Sequence, residues 1–225
     1  MNKFKITDFF IGIIFTLLFI SLAVIITINF RPLYYMDIKF LNIEATSGLD
    51  KNEILANYNA LIDYSSPFFR GDLVFPTLSA SESGLSHFVE VKNIFISFYL
   101  LGAVTLILGI IIILHKSRNK DYSYLLVSAI TAIVLPILLG LLMSINFDRT
   151  FILFHKLFFN NNDWLFDPTT DPVITILPDT FFMHCAILII LIVLLCSIIF
   201  LLIYVHFHKK RRYGIKYRKS RGLKL

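Results

Sequence analysis

Two histidines stand out by their company. His155 lies in FILFHKLFFNNNDW, residues 151–164, among four phenylalanines and ahead of three asparagines, an aspartate and the chain's single tryptophan, Trp164. His87 lies in SHFVEVKN, residues 86–93, three positions before Glu90. Imidazole takes up and releases a proton near neutral pH. Each ring alone reads either as a satisfied, partly buried histidine or as a proton handler. Two of them at the same depth, just outside long apolar runs, favour the second. His115, His206 and His208 sit beside Lys or Arg at the ends of such runs and read as interface residues. His184, in the first turn of the last run, reads either as a packing or hydrogen-bonding ring or as a further functional one.

Other chemistries fit less well. Zinc needs three or four ligands, which His87, His155, Glu90 and Asp163 or Asp167 can supply, but no HExxH or other clustered spacing is present. No metal and no cofactor is therefore expected. No GxSxG occurs, so a serine nucleophile has no elbow to stand on. Cys185 and Cys196 both fall deep in the last apolar run, about 16 Å apart along a helix and too far for a disulfide. What remains is acid–base chemistry by histidine on a substrate that brings its own nucleophile. Phe151, Phe154, Phe158 and Phe159 share a helical face with His155. They would line a water-poor pocket at the bilayer boundary, where aromatic rings are favoured. A lipid-linked substrate can enter there with its chains still in the bilayer.

The elements that must position these rings are mostly membrane helices. The 225 residues are 57% hydrophobic and 16% charged, where a soluble domain is about half apolar and a quarter charged. Four runs lack Lys, Arg, Asp and Glu altogether: 9–30, 94–114, 124–145 and 181–207. Each exceeds the roughly 18 residues a membrane span needs, and the first is too long for a cleaved signal peptide. Most of the 21 basic residues fall in 1–8, 115–123 and 208–225. The positive-inside rule therefore puts both termini in the cytoplasm. Segments 31–93 and 146–180 then face outward as a two-part extracytoplasmic cap. The fold class is an all-α, four-span membrane protein with a cap of short helices and a few short strands. The basic tail is explained by orientation and anionic lipid rather than nucleic acid.

Within the cap, alternation in Met36–Ile38–Phe40 and Leu41–Ile43 predicts short strands. Asp50 caps a helix with Glu53 three residues on, burying Ile54, Tyr58, Leu61 and Ile62 on one face. Arg70 sits in a loop or hairpin flanked by aromatics, free to meet an aspartate or a polar part of the substrate. Ser86 is expected to cap a helix starting at His87, and Asp148 one starting at Arg149. NNNDW ends that second helix, and DPTTDP is turn chemistry. Pro136 should kink the third span. Asn161, Asn162 and Trp164 are candidate donors to a developing oxyanion, and Glu90 a candidate orienter of His87. Asp163, Asp167 and Asp171 read as loop caps or as helpers.

The segments SHFVEVKN (86–93) and FHKLFFNNNDWLFDPTTDPVITILPDTFF (154–182), with the four-span layout, resemble the bacterial lipoprotein intramolecular transacylase family over essentially the whole chain. The resemblance implies transfer of the sn-2 acyl chain of a diacylglyceryl-cysteine lipoprotein onto the α-amine of that cysteine, giving a lyso-form lipoprotein. It implies His87 and His155 as the catalytic pair, with base and oxyanion roles left open, and an outward-facing site in the bacterial plasma membrane. No metal and no separate acyl donor are implied; the partners are the lipoprotein and membrane lipid. Two alternatives are a non-enzymatic lipid-binding accessory or sensor protein and a metal-dependent membrane hydrolase.

Overall fold

A computed structural model describes residues 5–220, with side chains over 5–209. The basic residues from Lys210 onward, and Lys3, on which much of the orientation rests, lie outside the described side chains. The described residues form nine helices and no strand: α1 (Ile6–Asn29), α2 (Pro32–Phe40), α3 (Ile43–Ser47), α4 (Lys51–Tyr64), α5 (Glu82–Arg118), α6 (Ser123–Ile145), α7 (Phe147–Phe158), α8 (Val173–Ile176) and α9 (Asp179–Ser220). Helices α1, α5, α6 and α9 are each long and apolar enough to cross a bilayer. At about 1.5 Å per residue the 37 residues of α5 run well beyond a hydrocarbon core of about 30 Å. Its first turns, which carry Glu82, His87, Glu90 and Lys92, precede the apolar stretch 94–114.

The chain divides into two compact units. The first draws on Met1–Ile20, Leu101–Leu138 and Ile190–Leu225. Hydrocarbon offers no hydrophobic drive between helices, so close packing and polar ties hold this unit. Phe200 meets Phe15 and Phe19 edge-on, at 4.9 Å each. Gly12 lets α1 approach α6, since a Cβ there would stand 2.7 Å from Thr131 Oγ1. Asp8 is fully buried and accepts from Lys116 Nζ at 2.8 Å. Lys116 also reaches Asp121 at 3.1 Å, and Ser123 Oγ lies within hydrogen-bonding distance of both carboxylates. Buried charges survive only when paired in this way.

The second unit, Ser21–Leu100 with Leu139–Ile189, carries the histidines of interest. Its core is Tyr34, Ile38, Ile43, Ile54, Tyr58, Val173, Ile176 and Phe181. Tyr34 stacks on Tyr58 at 3.7 Å and donates its hydroxyl to the Ile176 carbonyl at 2.7 Å. Asp50 caps α4 through Asn52 and Glu53 N–H groups, as its sequence signals. Ile54, Tyr58 and Leu61 are buried and Ile62 packs beside them.

The expected strands at Met36–Ile38–Phe40 and Leu41–Ile43 are instead helices α2 and α3. Pro32 presets the first turn of α2, and the buried residues Tyr34, Asp37 and Ile38 follow helical spacing. Met36 and Phe40, which suggested alternation, are exposed. Helix α5 starts at Glu82, not His87. Ser81 Oγ accepts the Gly84 N–H, while Ser86 lies inside the helix. Ser81's own N–H donates to the buried Asp171 at 2.8 Å. The cap of α7 is Asn146, whose side chain accepts from Arg149 N–H at 2.8 Å. Asp148 instead sits in the first turn, where its charge suits the helix dipole.

Candidate active site

Helix α5 presents His87 in its second turn and Glu90 one turn later; α7 presents Phe151 and His155 on successive turns of its inner face. The two imidazole centroids are 5.9 Å apart, with ring planes at 35°. His87 is 5% exposed and His155 9%. Phe159 closes against both rings, 4.6 Å from His87 and 5.6 Å from His155. Trp164 packs on His155 at 4.8 Å with the ring planes tilted by 30°, and Phe151 lies 4.2 Å from it. The expected single aromatic stripe divides between two faces. Phe151 and Phe159 wall the histidines, whereas Phe154 and Phe158 pair with each other at 4.6 Å and stay exposed. Phe159 leaves helical geometry as the C-cap of α7, which turns its ring inward.

His155 Nδ1 sits 2.8 Å from the Phe151 carbonyl, one turn back on its own helix. A carbonyl only accepts, so Nδ1 carries the hydrogen and Nε2 keeps a lone pair. His87 Nδ1 is buried and unpartnered, so no protein group selects its tautomer. Burial pushes His87 down to about 4, the neighbouring His155 adds to this, and Asp163 opposes it. Burial also lowers His155, against the Phe151 hydrogen bond and Asp179. Desolvation disfavours the charged imidazolium, so both rings are neutral at pH 7 and able to accept a proton.

Asn161 organises the segment after α7. Its Nδ2 donates to Glu90 Oε1 at 2.8 Å, its Oδ1 accepts from Asp163 N–H, and its carbonyl accepts the Trp164 indole N–H at 3.1 Å. Two expectations are thereby corrected. Glu90 bonds Asn161 and does not orient His87. Trp164 has its only donor engaged on Asn161, so it contributes a stacking face and no oxyanion donor. Asn162 is exposed, and its carbonyl only closes the turn to Leu165. Arg70 is exposed in the loop before α5 and pairs with none of the aspartates. Asp167 caps the turn through Thr169, and Asp171 holds Ser81. His184 lies outside the pair and bonds Asp37 at 2.9 Å, one of the two outcomes anticipated for it. Cys185 and Cys196 are free thiols.

Sequence reasoning missed Phe166, 5.5 Å from His87 and stacked on Phe88. Its only sequence signal was an apolar residue kept inside turn chemistry. Among the described residues, no three His, Cys, Asp or Glu side chains group as metal ligands.

The model of the lipoprotein intramolecular transacylase Lit family matches residues 9–182, which include both histidines. The chain belongs to this family. Family membership makes it a multi-pass membrane protein of a family of acyltransferases acting on lipoproteins. The solved membrane-integral Lit from Bacillus cereus is 39% identical, with TM-score 0.88, covering 92% of this chain and 98% of that one. Two variants of the Bacillus cereus protein, each with one histidine replaced, also align. The arginine variant is 39% identical and covers 92% of this chain and 95% of that one, with TM-score 0.82. The alanine variant is 38% identical and covers 92% and 96%, again with TM-score 0.82. No curated relative matches the chain.

Proposed function

We propose that this chain moves the sn-2 acyl chain of a diacylglyceryl-cysteine lipoprotein onto the α-amine of the same cysteine, with residues 31–93 and 146–180 as a cap on the outer face of the plasma membrane. The observation that carries this reading is the pair of neutral imidazoles 5.9 Å apart, one of them with its Nε2 lone pair defined by the Phe151 carbonyl. At that separation the rings are direct neighbours, so one reacting group can lie against the edges of both. The histidine-replaced Bacillus cereus structures add weight to a histidine at the centre of the family's chemistry.

His155 is the base. As the amine nitrogen forms its bond to the ester carbonyl carbon, Nε2 takes the amine proton. His87, in its Nε2–H tautomer, donates to the oxyanion of the tetrahedral intermediate. Collapse of that intermediate breaks the bond from the acyl carbon to the glycerol sn-2 oxygen. That oxygen recovers the proton from His155, leaving an amide and a free hydroxyl. Nucleophile and acyl donor belong to one molecule, so the protein's task is to fold the thioether-glyceryl tether into a ring. The walls of Phe151, Phe159, Phe166 and Trp164 exclude the water that would hydrolyse the ester.

The test uses membranes carrying wild type, His155→Ala or His87→Ala and a diacylglyceryl lipopeptide with a free amine. Acyl migration leaves the mass unchanged, so fragmentation must locate the chain. Wild type yields N-acyl lipopeptide; each variant loses roughly 10²–10⁴ in rate while remaining folded in the membrane. Full N-acylation by either variant overturns the assignment of that ring. Lipopeptides that keep a free amine in the presence of folded wild type make the chain a lipid-binding accessory protein instead.

A further inference from the structure

Helix α7 has three faces. Phe151 and His155 point into the second unit. Arg149 and Lys156 point the other way and are exposed. Between these, Leu153, Phe154, Leu157 and Phe158 form an outward arc that is 60%, 46%, 74% and 50% exposed. Four large apolar side chains on two turns of a 12-residue helix form a patch that soluble surfaces rarely carry.

Chain connectivity fixes what lies beside this arc. The membrane span α6 ends at Ile145, itself 80% exposed, and only Asn146 separates it from the start of α7. The exposed apolar surface of Leu141, Leu142 and Ile145 thus lies one cap residue and the polar first turn of α7, Asp148–Arg149–Thr150, before the arc that starts at Leu153. A short helix with an apolar face and basic residues at its polar edge is suited to lie in the interface plane, its apolar face about 5–10 Å into the headgroup–acyl boundary. Arg149 and Lys156 then meet lipid phosphates. A second copy of α7 on the same arc would bring these like charges together.

We infer that the outer face of α7 is embedded in the bilayer interface and that the helix holds His155 at the depth of the acyl ester carbonyls. Its purpose rests on the reaction proposed above: a substrate anchored by its own chains presents the sn-2 ester at that depth. Its placement is measurable without any turnover.

A nitroxide at Leu157→Cys, in a Cys185→Ala, Cys196→Ala background reconstituted in phosphatidylglycerol–phosphatidylethanolamine vesicles, reads the environment directly. The expected result is collision with oxygen well above collision with a water-soluble nickel chelate. Nickel-dominated collisions put the arc in water, and low collision with both puts it against protein, such as a second copy. Either result overturns the inference. Trp164, the chain's single tryptophan, supplies a second readout through its stack on His155. Lipids brominated near the carbonyl end of the chain should quench it more than lipids brominated near the methyl end. Quenching by aqueous iodide alone overturns the depth assignment. Loss of acyl transfer with lipid contact intact counts against the reaction and not against this placement.

Discussion

Acidification should charge a free imidazole long before it charges His87. At about pH 5.5 an ordinary imidazole is roughly nine-tenths protonated. His87, held near 4 by burial and by His155, is then only about 3% protonated. The folded protein therefore binds fewer protons at this site than the unfolded chain between about pH 6.5 and 4. Stability is intact above the upper end of that window and falls as pH drops through it, by about 3 kcal/mol at the lower end. Nitrogen NMR of labelled histidine in nanodiscs measures this, with His87→Gln and His155→Gln for assignment. In His155→Gln the His87 midpoint should rise, because the neighbour's charge is removed, yet stay below an ordinary imidazole, because burial is the larger cause. A His87 midpoint at or above the ordinary value, or one indifferent to His155→Gln, refutes the argument that these rings share a dry site.

Asn161→Ala removes the partner of Glu90 and loosens the segment that stacks Trp164 on His155. It should shift the tryptophan emission to the red and slow acyl transfer on the order of tenfold, read by fluorescence and by fragmentation. Asp8→Ala strips Lys116 of its shorter contact in a buried cluster and should cost about 3 kcal/mol, seen as a lower midpoint in thermal scanning with His87 titration unaffected. Gly84→Ala places a Cβ 2.2 Å from Asp171 Oδ1. The carboxylate must then leave the Ser81 N–H, at a cost of about 2 kcal/mol. Combining it with Asp171→Ala should give less than the sum of the two single losses.

The membrane helices were legible because an uninterrupted uncharged run is a strong signal. The histidine pair was legible because the flanking motifs resemble those of a known family. Position within the second unit was less so. Met36, Ile38 and Phe40 alternate as a strand does, but packing of Tyr34, Asp37 and Ile38 against the unit's core selects a helix. Ser86 and Asp148 are good capping types in plausible places, yet Ser81 and Asn146 cap instead. In the first case the choice depends on Asp171, ninety positions away, holding the Ser81 N–H, and no local pattern encodes that. Glu90 was expected to serve His87, its neighbour on the helix, but finds Asn161 from a distant segment. Phe154 and Phe158 share a periodic stripe with His155, and periodicity alone cannot tell an inward aromatic from an exposed one.

The bond from His155 to the Phe151 carbonyl joins two residues of a single helical turn. The aim of the ring is therefore a property of the helix that carries it and needs no distant scaffold. Loops elsewhere can be lengthened, shortened or exchanged while Nε2 keeps its bearing relative to α7.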